Sequence, residues 1–221
     1  MVRTVLVYFV LCFLSVTRTA VLPVEKCKLE DSTCLVSSFQ KAVPIFMAGI
    51  PELGVEVMDV MEIEDVSFDL SGFQFSLKDG RVKGLKSSII DSVNWNEKKK
   101  KITVEFHANC TVRGHYTAGG RLLILPITGD GQITMKLRNI AVKYIVDYDF
   151  EKDGVGKTHV VPKKYTFEFE VKDNAHFAMT NLFNGNKELS DAMHLFVNDN
   201  WKQISVEFGK PIMGATANKI Y

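Results

Sequence analysis

The sequence has no Gly-x-Ser-x-Gly elbow, no His-Glu-x-x-His, no phosphate-binding glycine loop and no Cys-x-x-Cys pair. The commonest signatures of ester hydrolysis, zinc peptidase, nucleotide and dithiol chemistry are therefore missing. Its five histidines are scattered. His107 and His115 have Glu105 as their nearest acidic neighbour in sequence, and one carboxylate makes neither a triad nor a metal site. Charge of one sign is not in excess either: the net charge is +1 over 221 residues, and without residues 1–20 there are 25 basic against 26 acidic groups. Nucleic acid demands a basic surface, so it is excluded as a partner. The run Glu97-Lys98-Lys99-Lys100-Lys101 reads as a solvated turn before it reads as a patch for an acidic partner or a membrane.

Long apolar runs are also scarce. Val5 to Val16 is apolar apart from Ser15, and it is too short to cross a bilayer comfortably. With Arg3 ahead of it and Ala20 behind, it reads as a secretory signal over residues 1–20. The expectation is a single domain over residues 21–221, extracellular, without stable membrane insertion. Cysteine is rare, with four in the chain. Cys12 leaves with the signal, Cys27 and Cys34 lie close together, and Cys110 is far from both. An oxidising compartment permits Cys27 to pair with Cys34. No histidine stands near that pair to make a metal site, and Cys110 falls in a strand pattern as a buried free thiol.

What the chain has in abundance is alternation. From Lys101 to Arg113 the residues Ile102, Val104, Phe106, Ala108, Cys110 and Val112 fall on one side and polar residues on the other, the pattern of a long half-buried strand. Asn109-Cys110-Thr111 is a glycosylation sequon whose Asn109 falls on the solvent side. The period recurs at Tyr144 to Phe150, at Tyr165 to Val171 and from Ala175 onward. A change of phase between Ile133-Met135-Leu137 and Ile140-Val142-Tyr144 predicts a bulge near Asn139. Turn residues at Lys78-Asp79-Gly80, Asn94-Trp95-Asn96, Gly129-Asp130-Gly131 and Lys152-Asp153-Gly154 predict where the strands reverse.

Two segments have helical spacing instead. One follows Ser32 or Thr33 as N-cap, presents Leu35, Phe39, Ala42, Val43 and Phe46, is bent by Pro44 and stops at Gly49-Ile50-Pro51. The other starts near Asn186 and aligns Leu189, Ala192, Met193, Phe196, Val197, Trp201, Ile204 and Phe208 on one stripe, with a kink expected at Pro211. Long strands with one aromatic-rich face need a covering layer, and only one long helix and one short helix exist to supply it. The economical arrangement is an α+β roll, a long curved antiparallel sheet wrapped around the C-terminal helix. Such a roll is either filled to ordinary protein density or left hollow along its axis, and periodicity alone favours the filled one.

The block from Cys27 and Cys34 to Gly49-Ile50-Pro51-Glu52-Leu53-Gly54 resembles the takeout and juvenile hormone-binding proteins of insects. Further similarities follow in order: Val82-Lys83-Gly84-Leu85, Gly114-His115-Tyr116, Gly119 through Ile127, Gly129-Asp130-Gly131, Asn181 through Asn186 and Asn198 through Trp201. Two departures qualify the resemblance. Cys110 has no partner for the second disulfide usual in juvenile hormone-binding proteins, which favours the takeout branch. Val57-Met58-Asp59-Val60 also stands where relatives read Leu-Asp-Pro, and relatives carry a longer tail beyond the position of Tyr221.

The resemblance implies a hollow roll, no enzymatic activity, no cofactor and a small hydrophobic ligand such as a juvenile hormone-like terpenoid or a fatty-acyl lipid. A monomer is expected. The candidate ligand-binding residues are Phe39, Val43, Phe46, Phe196 and Trp201 on helices and Phe106, Leu123, Leu125, Tyr144, Phe167 and Phe177 on strands. The hydroxyls of Tyr116, Tyr144 and Tyr165 are candidates to orient a ligand carbonyl or epoxide. The alternative is a secreted signalling protein of the same fold, in circadian or feeding regulation, without a bound ligand.

Overall fold

A computed structural model describes residues 25–221; the expected signal segment, 1–20, lies outside the described residues. Asp31 caps the first helix, α1 (Ser32–Met47), its side chain accepting the backbone N–H of Cys34 at 3.0 Å. The cap is thus one residue earlier than Ser32, because the short Asp31 carboxylate reaches the third helical N–H. Pro44 lies inside α1 without ending it. The chain then turns through a short 3-10 segment, Pro51–Leu53, closed by Gly54 at φ 72°, a left-handed conformation that glycine adopts without a Cβ clash.

Seven antiparallel strands follow: β1 (Val60–Glu62), β2 (Val66–Leu70), β3 (Phe73–Lys83), β4 (Ile89–Asn96), β5 (Lys101–Leu122), β6 (Leu125–Lys152) and β7 (Thr158–Met179). They form one sheet in the order β1-β3-β5-β6-β7, with β2 also on β3 and β4 also on β5. The helices α2 (Lys187–Asp199) and α3 (Trp201–Ile220) close the chain. The expected long C-terminal helix is two helices, divided at Asn200 (φ −100°, ψ 21°) and not at Pro211, which α3 accommodates. Asn200 turns back on α2, its Nδ2 donating to the Phe196 carbonyl at 2.8 Å. The same carbonyl accepts the Asn200 backbone N–H at 3.0 Å, so Asn200 closes the last turn of α2 with both its nitrogens.

The predicted bulge is present. Asn139 has φ 52°, and the register slips beside it against both neighbouring strands. Of the four expected turns, only Lys152-Asp153-Gly154 reverses the chain. Lys78-Asp79-Gly80 is a bulge inside β3, where two residues oppose the single Gly114 of β5. Asn94-Trp95-Asn96 is strand, and the reversal comes after it, with Asn96 Oδ1 accepting the Lys99 N–H at 2.9 Å. Gly129-Asp130-Gly131 lies within β6, and a Cβ on Gly129 would stand 2.4 Å from the Tyr116 hydroxyl. That glycine serves packing. The actual reversal falls at Leu123-Ile124, with Leu123 at φ 54°.

Helix α3 packs against β7 at one end of the strand order and against β2 at the other, so the sheet rolls around it. Helix α2 covers the outer edge of β7. Asn198 exchanges two hydrogen bonds with the Phe177 backbone, at 2.8 and 3.0 Å, and His194 Nε2 accepts the Met179 N–H at 2.9 Å. An otherwise unpaired strand edge is protected in this way. Leu77, Tyr116 and Leu182 are fully buried at the centre of the core, and Leu35, Ile90 and Val93 form a smaller cluster beneath α1.

Candidate functional site: a two-chambered apolar interior

The interior of the roll is hollow. The larger chamber, about 330 Å³, is bounded by α1, the concave faces of β4 to β7 and the C-terminal half of α3. Phe39, Val43 and Phe46 enter it from α1 because spacings of four and three residues put them on one helical face. Alternation brings Val104, Phe106 and Cys110 from β5 and Val142 and Tyr144 from β6, while β7 gives Phe167 and α3 gives Met213, Thr216, Ala217 and Ile220. The smaller chamber, about 80 Å³, continues along α3. Its walls include Phe68, Phe73 and Phe75 from β2 and β3, Phe169 and Phe177 from β7, and Ile204, Ser205, Phe208 and Gly209 from α3. Val112, Leu137 and Met213 line both chambers, so the two adjoin across these side chains.

The polar groups of the larger chamber are committed to the protein. Ser88 Oγ donates to the Leu85 carbonyl at 2.6 Å, Thr216 Oγ1 to the Ile212 carbonyl at 3.0 Å, and Tyr144 Oη to the Ala217 carbonyl at 3.3 Å. Burial pushes the Cys110 thiol up to about 11. The Tyr144 phenol is raised by burial first and then by Tyr165 and Tyr221. Tyr144 stacks on Tyr165 with centroids 5.3 Å apart, and Tyr221 lies tilted against Tyr165 at 4.7 Å. At the end of the helix, Lys219 Nζ reaches Glu56 at 2.6 Å and ties the last turn of α3 to the segment after the 3-10 turn.

Of the eleven candidate residues, Phe39, Val43, Phe46, Phe106, Tyr144 and Phe167 lie together around the larger chamber and Phe177 borders the smaller. Leu123, Leu125, Phe196 and Trp201 pack against the core without lining either. Tyr116 donates to the Thr180 carbonyl at 2.8 Å and Tyr165 to Asn218 Oδ1 at 3.4 Å, so both hydroxyls are used by the protein. The residues that the candidate set omitted are chiefly Phe68, Phe73, Phe75, Phe208 and Met213. Alternation at Phe73 and Phe75 and the helical stripe through Phe208 were the available signals.

Cys27 and Cys34 are joined in a disulfide, and Cys110 is a buried free thiol. His107 pairs with Asp91 at 2.8 Å and His115 with Asp130 at 2.7 Å, both on the outer surface, while Glu105 instead meets Ser92 and Lys143. Among the described residues no cluster of three His, Cys, Asp or Glu could hold a metal, and no helix is long and apolar enough to cross a membrane. In the lysine run, Lys100 and Lys101 pair with Asp149 and Asp147.

A rolled sheet with an elongated hydrocarbon-lined interior defines a binding protein for small hydrophobic molecules. The model of the haemolymph juvenile hormone binding protein family matches residues 7–220, and the chain belongs to that family. Its members are binding proteins and not enzymes. The chain is similar to the crystal structure of Takeout 1 of Epiphyas postvittana, with 63% identity, a TM-score of 0.88 and coverage of 89% of this chain and 91% of that one. It is also similar to the circadian clock-controlled protein daywake of Drosophila melanogaster, 28% identical over 207 residues, 88% of this chain and 79% of the relative. The daywake protein of Drosophila yakuba is 26% identical over 197 residues, covering 84% of this chain and 75% of that protein.

Proposed function

We propose that this chain is a secreted carrier that holds a juvenile hormone-like terpenoid or a fatty-acyl lipid, reversibly and as a monomer, in the space made by the two chambers. The observation that carries the reading is the larger chamber: about 330 Å³ of interior whose walls are aliphatic and aromatic and whose hydroxyls already have partners. A filled core would leave no such volume. Water gains little there, whereas an apolar ligand leaves water for a hydrocarbon wall. Burying roughly 300 Å² of ligand surface at about 25 cal/mol per Å² contributes on the order of 7 kcal/mol before the cost of association is subtracted. Micromolar affinity therefore needs no special contact. Phe39, Val43, Phe46, Phe106, Tyr144 and Phe167 are the residues assigned to the ligand in the larger chamber, and Phe177 in the smaller.

Similarity to clock-controlled relatives supports a second reading, in which a surface of the same fold acts in circadian or feeding regulation. One experiment separates the two. Protein purified from its own source is examined by native mass spectrometry and extracted with organic solvent, and the delipidated protein is titrated with a fluorescent fatty acid and with methoprene. The carrier reading expects a co-purifying lipid and saturable uptake, weakened at least tenfold by Ala217→Phe, which puts a ring into the larger chamber. No lipid and no uptake by the wild type would overturn the carrier and leave the surface reading.

A further inference from the structure

Ser205 is the one residue with a buried side-chain nitrogen or oxygen lacking a hydrogen-bond partner among the described residues. It is 7% exposed and lines the smaller chamber, whose other walls are Phe, Met, Val, Ile, Leu, Ala and Gly residues. Buried hydroxyls are rarely left alone, because burial removes their water and something must replace it. The usual helical solution is to donate to the carbonyl four residues back. Thr216, eleven residues further along the same helix, does this to Ile212 at 3.0 Å, and Ser205 does not. Its hydroxyl is left without a partner in the wall of the chamber.

The position along α3 shows what kind of molecule could use it. Ser205, Gly209, Met213 and Ala217 follow at steps of four, a ladder down one face of the helix from the smaller chamber to the larger. At 1.5 Å per residue, Ser205 to Ile220 spans about 22 Å, enough for an extended long-chain molecule. Gly209 keeps the passage narrow by letting the Phe169 ring approach, with the ring within 3.2 Å of where a Cβ would stand. Among the described residues no charged side chain lines the smaller chamber. An ionised carboxylate there would be buried without a counterion, at a cost one serine cannot offset.

We propose that Ser205 reads a single neutral oxygen on an otherwise hydrocarbon ligand. Its hydroxyl donates to a ketone, ester or ether oxygen, or exchanges a bond with an alcohol, at the end of the chain seated in the smaller chamber. The remaining hydrocarbon passes Val112, Leu137 and Met213 into the larger chamber. This rests on the carrier reading and adds the ligand's chemical class and orientation: a slender, neutral, end-oxygenated chain in preference to a bare hydrocarbon.

The test compares tetradecane with 2-tetradecanone as displacers of N-phenyl-1-naphthylamine from the wild type, Ser205→Ala, Ser205→Val and Thr216→Val. A hydrogen bond of ordinary net strength predicts that the wild type prefers the ketone by about tenfold. Ser205→Ala and Ser205→Val should bring that ratio to about one or below, since the ketone oxygen would then be buried without a partner, while leaving tetradecane binding within about twofold. Both should unfold at or above the wild-type temperature, because an unpaired polar group has been deleted. Thr216→Val, whose hydroxyl is already satisfied, should keep the ratio. The inference is overturned if the wild type shows no preference, or if Ser205→Ala keeps it, or if Thr216→Val loses it equally. If neither compound displaces the probe from the wild type, the carrier reading itself falls.

Discussion

The side-chain oxygen of Asn109 on β5 accepts the backbone N–H of Asn139 on β6 at 2.8 Å. Asn139 is the residue at φ 52° in the bulge, and its own Nδ2 donates to Asp173 of β7 at 3.1 Å. A bulge leaves a residue outside the ladder, and Asn109 supplies the acceptor that the ladder cannot. Its nitrogen remains free on the exposed side, so a glycan on Nδ2 is compatible with the bond. Two substitutions that both destroy the sequon should therefore differ. Thr111→Ala should remove any glycan, seen as a mass loss after expression in insect cells, with stability changed by less than about 0.5 kcal/mol. Asn109→Ala should remove the glycan and also cost about 1–2 kcal/mol in urea unfolding, because the Asn139 N–H loses its partner.

The disulfide between Cys27 and Cys34 fixes the segment in front of α1, a helix whose Leu35 is buried and whose Phe39, Val43 and Phe46 wall the larger chamber. For a loop this short the chain-entropy account gives about 2–3 kcal/mol. Replacing both cysteines by serine should lower stability by about that amount. Ligand affinity should fall as well, since α1 is then less ordered, and hydrogen exchange should rise first in residues 28–47. Unchanged exchange in α1 would show that the helix is held by its packing and not by the disulfide.

Cys110 is 6% exposed and borders the larger chamber. With its thiol pushed up to about 11 by burial, almost no thiolate exists at pH 8. Ellman's reagent should therefore react with the folded protein far more slowly than with the urea-unfolded chain, and an occupying ligand should slow it further. The linked effect on stability has a definite sign. Folding favours the protonated thiol, so its contribution is full below the unfolded value of 9.0 and is lost as pH rises through about 11. Tyr116, raised to about 12 by burial first and Asp130 second, extends the loss upward. The unfolding temperature should fall between pH 9 and 11, and Cys110→Ala should flatten part of that slope.

Much of the architecture is legible in one dimension because burial on a sheet repeats every second residue and burial on a helix at steps of three and four. The strand through Ile102, Val104 and Phe106, the Asn139 bulge and the α1 face all follow from that. Turns were harder to read, since glycine serves purposes other than turning here. Gly80 belongs to a bulge, Gly129 makes room for Tyr116, and the true hairpin tip is Leu123-Ile124, where no turn residue announces it. The chambers were legible only in part. Apolarity marks Phe196 and Trp201 as core just as it marks Phe39 and Phe106, but a void is set by how far apart the packed elements stand. That distance has no period. Ser205 stands out only when its missing partner is visible in three dimensions.

Gly129 gives the sharpest packing test. A Cβ there would lie 2.4 Å from Tyr116 Oη and 3.1 Å from a Leu182 methyl, and Tyr116 cannot retreat without losing its bond to the Thr180 carbonyl at 2.8 Å. Tyr116 and Leu182 are both fully buried, so the strain has no solvent side to escape to. Gly129→Ala should cost about 2 kcal/mol, as overpacking of a well-filled core does, and lower the unfolding temperature by about 5 °C for a domain of this size. Tyr116→Phe removes the oxygen that collides. It should cost about 1 kcal/mol alone through the lost hydrogen bond, yet little or nothing more on the Gly129→Ala background. Additive losses in that double-mutant cycle would show that the glycine is required for backbone reasons and not to admit the Tyr116 hydroxyl.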